Sequence, residues 1–210
     1  MYYSIGGRRG SRGDHQARFL ARPACDTSAM SDPPTTVRNW GPVLYGNPCH
    51  ECSFDWNISL EAAIGLVATM PKLYAQILAA AGSDGSERDP ELQWSAGAYV
   101  CHVGDNLRIW AERLVGISRG AAPAVAPYDE TLLGEARVYD RVALEGAIWS
   151  LERAAADWQS AVDEATAAGV VLIHPDRGEQ SLLDVVRSNA HDGFHHKWDI
   201  QRSLQGTALA

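Results

Sequence analysis

The chain has 210 residues, 46% hydrophobic and 21% charged, with a formal net charge of -8. That length and composition suit one folded core. The acidic balance argues against nucleic acid as the main partner, because no basic stripe is available to neutralise phosphates. No uninterrupted apolar run is long enough to span a bilayer, no secretory h-region opens the chain, and four cysteines at this length make no disulfide framework. The expectation is a cytoplasmic protein without a membrane partner.

Residues 1–29 mix Arg8, Arg9, Arg12, Arg18 and Arg22 with Gly and Ser, without periodicity, and read as a disordered tail; Met30 is a second plausible start. Residues 31–58 are rich in Pro, Asn and Gly and contain Cys49-His50-Glu51-Cys52. A C-x-x-C turn supplies half of a zinc site, but zinc wants four ligands and no second pair follows. A turn with two free thiols, a zinc knuckle completed by a histidine or another chain, and a redox pair all stay open. Residues 1–56 are therefore expected to be an irregular extension, with a helical bundle over 57–210.

The first predicted helix runs from about Ser59 to Ala80, with Ser59 as its cap, Ile64, Val67, Tyr74 and Leu78 on its apolar edge, and a kink at Pro71. Residues 81–90 are a polar loop. The second helix, about Leu92 to Ile117, carries Val100, Val103, Leu107, Trp110, Leu114 and Ile117 at alternating spacings of a bundle seam. A long connection over 118–141, with a short helix from Asp129 to Tyr139, suits a crossover that lets the next helix run parallel to the second. The third helix spans about Ala143 to Ala168 and stops at Gly169. Residues 170–173 (VVLI) are apolar and β-branched, and 174–178 (HPDRG) form a turn, which leaves His174 in a loop. The last helix spans about Ser181 to Leu204, with Leu182, Val186, Ala190, Phe194, Trp198 and Leu204 on its apolar arc. Most of the seven tryptophans fall at helical spacing and read as core anchors.

Candidate chemistry concentrates in residues 191–199, HDGFHHKWD. His191 and His195 stand four apart, so both imidazoles share one helix face, one turn apart, close enough for one metal ion. A structural helix has little reason to place two histidines beside a buried seam. Asp192 and His196 have the same spacing further round the helix and rank second. His102 sits mid-way along the second helix, with Asp105 and Asn106 one turn later, either able to orient an imidazole.

With these residues in view, the chain resembles the DinB-like superfamily over about residues 57–206. YVCHVGDNL around His102 and NAHDGFHHKWDI around His191 and His195 carry the likeness. The resemblance implies an all-α, up-down-down-up four-helix bundle with a long crossover between its second and third helices. It also implies a divalent metal held by His102, His191 and His195. Its members with assigned activity use low-molecular-weight thiols: mycothiol-dependent maleylpyruvate isomerase and bacillithiol or mycothiol S-transferases. The isomerase branch resembles E-x-x-x-H-x-x-D on its last helix. Asp192, His196 and Asp199 fit that spacing, whereas His191, His195 and Asp199 fit H-x-x-x-H-x-x-x-D, so two registers compete. The Cys49–Cys52 turn lies outside the common bundle.

The resulting expectation is a metal-dependent transferase or isomerase that lowers the pKa of a small thiol and presents it to an electrophile. Asp105 or Asp199 would orient ligands, and a pocket at one end of the bundle would be lined by Tyr99, Trp198 and Arg202. Zinc or nickel is the expected ion, the partner a small-molecule substrate, and a homodimer is compatible with an acidic bundle carrying exposed tryptophans. The alternatives are a non-catalytic metal-binding stress-response bundle, and a metal-dependent hydrolase with Asp105 as base.

Overall fold

The computed structural model describes residues 40–206. The expected tail over 1–29 and Met30 lie outside the described residues. In chain order the elements are α1 (Pro42–Tyr45), α2 (Leu60–Ala80), α3 (Ala96–Ser118), α4 (Glu130–Arg137), α5 (Leu144–Ala168), the hairpin strands β1 (Val171–His174) and β2 (Gly178–Ser181), and α6 (Leu182–Gly206). The four long helices, α2, α3, α5 and α6, form the bundle; α3 packs most extensively on α5, and α6 lies against α2 and α3.

Local chemistry sets the ends of these helices. The hydroxyls of Ser59 and Ser95 accept from the N–H groups of Ala62 and Ala98 and cap α2 and α3. The Ser95 cap explains why α3 starts a turn later than its apolar pattern suggests. At α6, Ser181 and Asp184 cap reciprocally, each side chain accepting from the other's backbone N–H (2.9 and 3.2 Å). Gly169, at φ 65°, closes α5.

The expected seams form the observed core: Val67, Tyr74 and Leu78 of α2, Val100, Val103, Leu107, Trp110 and Leu114 of α3, Leu151, Trp158 and Val162 of α5, and Val186 and Ala190 of α6 are buried, while Ile64, Ile117, Phe194 and Trp198 are partly buried against them. Trp149 stands apart from the other tryptophans at 65% exposed. Among the described helices, α2 is long and apolar enough on average to cross a membrane. Glu61, Lys72 and Gln76 interrupt it, which hides that length from a search for unbroken runs. In the fold its apolar edge is spent on the bundle.

The crossover from α3 to α5 is fastened midway. Ile173 of β1 donates its N–H to Pro123 and accepts from Val125 (2.9 and 3.0 Å). Strand β2, with sequence GEQS, lacks β-branched residues and was not readable as a strand; pairing with β1 imposes it. Residues 40–56 also belong to the core, since Trp40, Cys49, Cys52, Phe54 and Trp56 are buried with the bundle residues.

Candidate metal centre

Helix α6 presents its two i, i+4 pairs on adjacent stripes, about 100° apart, and the two stripes meet different partners. Asp192 and His196 face His102 of α3, and the three donor atoms lie within 4.8 Å of one another. His191 and His195 face Cys49 and Cys52, again with all donors within 4.8 Å. The three histidines expected to share one ion are thus divided between two clusters. One helix alone cannot show which stripe its neighbour α3 will meet.

At the first cluster, Oδ1 of Asp192 lies 3.6 Å from Nε2 of His102 and 3.5 Å from Nε2 of His196. These separations are too long for hydrogen bonds. They approach the spacing of about 3.4 Å between two donors bound at roughly 2.1 Å to one ion. The orientation of each donor is fixed from behind. Asn106 donates to the other oxygen of Asp192 (2.8 Å) and itself accepts from the Tyr128 hydroxyl (2.9 Å). Nδ1 of His196 lies 2.8 Å from Oδ2 of Asp199, so Nδ1 carries the proton and Nε2 offers its lone pair. Trp94 packs on His102 and Tyr99 stacks on His196, with ring centroids 4.8 and 4.9 Å apart.

The electrostatics favour a cation. Burial works against charge on His196, but Asp192 and Asp199 outweigh it and raise its pKa to about 9. Burial likewise works against ionised Asp192, and the neighbouring His196 and His102 overcome it, holding the carboxyl well below its usual range. A proton on His196 therefore fills a role that a divalent ion would fill more completely. Two imidazoles and one carboxylate fit zinc, nickel or iron and leave coordination positions open.

A cleft of about 330 Å³ reaches this cluster at Asp192, beside Asn106, and reaches the second cluster at His191. Tyr45, Arg113, Tyr128, His174 and Arg177 also line it. Arg113 follows Asn106 by two helical turns and was legible in retrospect; Tyr128 and Arg177 come from loops and left no periodic signal. His174, expected in a loop, ends β1, is buried, and accepts the N–H of Asp176 at Nδ1 (3.2 Å).

The remaining candidates lie elsewhere. Tyr99, Trp198 and Arg202 do not line this cleft: Tyr99 covers His196, Arg202 pairs with Asp89 and Glu91, and its guanidinium stacks on Trp198. Asp105 is turned from the histidines by stronger partners. It accepts from Arg108, from Arg137 (2.8 Å) and from the Tyr139 hydroxyl (2.8 Å), and so ties α4 to α3.

A family model described as the DinB superfamily matches residues 27–200. The chain belongs to the DinB superfamily. This DinB chain shares its fold with YfiT from Bacillus subtilis, described as a probable metal-dependent hydrolase with an unusual four-helix bundle topology. The TM-score is 0.57 at 18% identity, over 72% of this chain and 89% of that one. No curated protein matches this DinB chain.

Proposed function

We propose that this chain is a metal-dependent enzyme that works at His102, Asp192 and His196 on a small anionic molecule, with a low-molecular-weight thiol as nucleophile. The observation that carries this reading is that Asp192 belongs both to the three-donor cluster and to the wall of the cleft. A molecule in the cleft would therefore approach the ion from its Asp192 side. A divalent ion there would acidify a thiol presented to it. Arg113 and Arg177 offer planar, always-charged donors for a carboxylate, Asn106 keeps Asp192 oriented, and Asp199 holds the tautomer of His196. The thiol is supported by the DinB relatives whose chemistry is assigned.

The second reading is metal-dependent hydrolysis. It is favoured by the description of YfiT, and by Glu130, a carboxylate that lines the same cleft. The deciding experiment incubates metal-loaded protein with small carboxylated electrophiles, with and without a low-molecular-weight thiol. Turnover that requires the thiol supports the first reading, and Arg177→Ala should then raise KM about tenfold or more with metal content unchanged. Turnover of esters or amides in thiol-free buffer transfers the site to hydrolysis. Full metal loading with no turnover in either condition returns it to a non-catalytic metal-binding bundle.

A further inference from the structure

We infer that Cys49, Cys52, His191 and His195 form a second, closed zinc site that fastens residues 40–56 to α6. This site is separate from the proposed catalytic cluster and does not depend on that reading.

The donor set comes first. Two thiols and two imidazoles converge with every pair of donor atoms within 4.8 Å. Two thiolates neutralise a zinc ion, so the filled site carries no net charge and tolerates burial. Cys49 is 2% and His191 6% exposed. Both cysteines are free thiols, not a disulfide.

The imidazoles supply the independent observation. Nε2 of His191 and Nδ1 of His195 are buried and have no hydrogen-bond partner. Buried polar nitrogens left unpaired are rare and costly, and each needs an explanation. A shared ion satisfies both. The other ring nitrogen of His195, Nε2, lies 3.7 Å from the carboxylates of Glu51 and Asp199, acceptors that favour its proton there and leave Nδ1 free to ligate.

The backbone between the cysteines has the shape a knuckle needs. The Cys49 carbonyl accepts the Ser53 N–H, and the Cys49 N–H returns to the Phe54 carbonyl (2.9 Å each). Ser53 takes φ 62°, which closes the turn directly after Cys52. Tyr45, Phe54 and Trp56 surround the His191 ring at centroid distances of 4.7, 5.4 and 4.5 Å and exclude water from that side.

The site has a structural consequence. Trp40, Gly41, Leu44 and Tyr45 form one wall of the cleft beside Asp192. They belong to the segment that the ion would anchor, and α1 is only four residues long, too short to hold itself. With its ligand His191 on the same cleft, the ion would thereby set the position of that wall through both α6 and residues 40–45.

The test is cobalt substitution of the purified full chain, read by absorption. The expected result is thiolate-to-cobalt charge transfer together with the intense d–d bands of a tetrahedral site. Cys49→Ser and Cys52→Ser should each abolish the charge-transfer band and remove one equivalent of metal. His196→Ala should leave the band intact and remove only the other equivalent, which separates failure at one site from failure at the other. A wild-type spectrum without thiolate bands overturns the inference, whether or not the cysteine variants fold. So does thiol titration showing a Cys49–Cys52 disulfide in the protein as purified, or a band that survives in the His191→Ala, His195→Ala double variant.

Discussion

Oδ2 of Asp199 lies 2.8 Å from Nδ1 of His196 and 3.7 Å from Nε2 of His195, so a single carboxylate stands behind a ligand of each cluster. Its closer contact is with His196, and Asp199→Asn should lower metal affinity at the His102–Asp192–His196 cluster about 10- to 100-fold, read by chelator competition. Affinity within twofold of the parent would make that hydrogen bond incidental. The ligands also fix how the metal-free protein responds to pH. Burial, and then the neighbouring His195, lower the pKa of His191 to about 4. An unfolded chain takes up that proton near 6.5, so stability present above about 6.5 is lost as the pH falls toward 4. His196 has the opposite sign: raised to about 9, its contribution is full below about 6.5 and disappears as the pH climbs to 9. Each shift corresponds to roughly 3 kcal/mol, so chelated protein should have its highest Tm near pH 6.5. Metal loading should remove the alkaline loss, because the ligands must be deprotonated to bind. A chelated protein whose Tm rises steadily from pH 6.5 to 9 would contradict this assignment. Helical spacing singled out His191 and His195, with Asp192 and His196 second, and the family resemblance added His102. Spacing could not say which stripe of α6 meets α3, and the partners of His191 and His195 lie about 140 residues earlier in the chain, beyond the reach of any periodicity.

Helix α3 must bring Tyr99 and His102 into register with α6, with Trp94 just before its cap, and its first turn is held by a close approach. A Cβ on Gly97 would lie 3.0 Å from the Gly85 carbonyl oxygen, a backbone atom that cannot step aside cheaply. Gly97 also donates its N–H to that carbonyl (2.8 Å). Alanine would gain about 1 kcal/mol of helix propensity, while a clash of this kind costs about 1–3 kcal/mol. Gly97→Ala is therefore expected to destabilise. Gly65 of α2 meets nothing within 4 Å, so Gly65→Ala should raise stability by up to about 1 kcal/mol. Urea denaturation of the two variants measures both signs, and a Gly97→Ala protein as stable as Gly65→Ala would show that the approach is not tight. The long helices were legible because each buries one face of a periodic pattern, and Ser59 and Gly169 mark ends by local chemistry. What stayed hidden at this scale depends on distant contacts. Strand β2 exists through its pairing with β1, and residues 40–56 were expected to be irregular because a short segment held by side-chain packing and ligands has no period to read.

The cleft draws on widely separated parts of the chain: Trp40 to Tyr45, Asn106 to Arg113 of α3, Tyr128 and Glu130 within the crossover, His174 to Arg177 in the hairpin, and Ser188 to Asp192 of α6. These parts are not held with equal strength. The α3–α5 interface is continuous core, with Val100, Leu107, Leu151 and Trp158 fully buried, and the Gly104 backbone lies against Leu151. The crossover and hairpin are pinned to each other by the two hydrogen bonds at Ile173. Residues 40–56 rely on fewer buried side chains and, on the inference above, on an ion. Removing metal should therefore act unevenly. In hydrogen exchange, amides of residues 42–56 should gain at least tenfold in rate on chelation, equivalent to about 1.4 kcal/mol of local opening. Amides of α5 facing α3 should change little, because α5 supplies no ligand to either cluster. His196→Ala, which empties only the cluster beside the cleft, should leave exchange in 42–56 nearly unchanged, whereas Cys52→Ser should reproduce the effect of the chelator. Uniform acceleration across α5 and residues 42–56 would mean that metal stabilises the bundle as a whole, and the division into one ion for chemistry and one for architecture would fail.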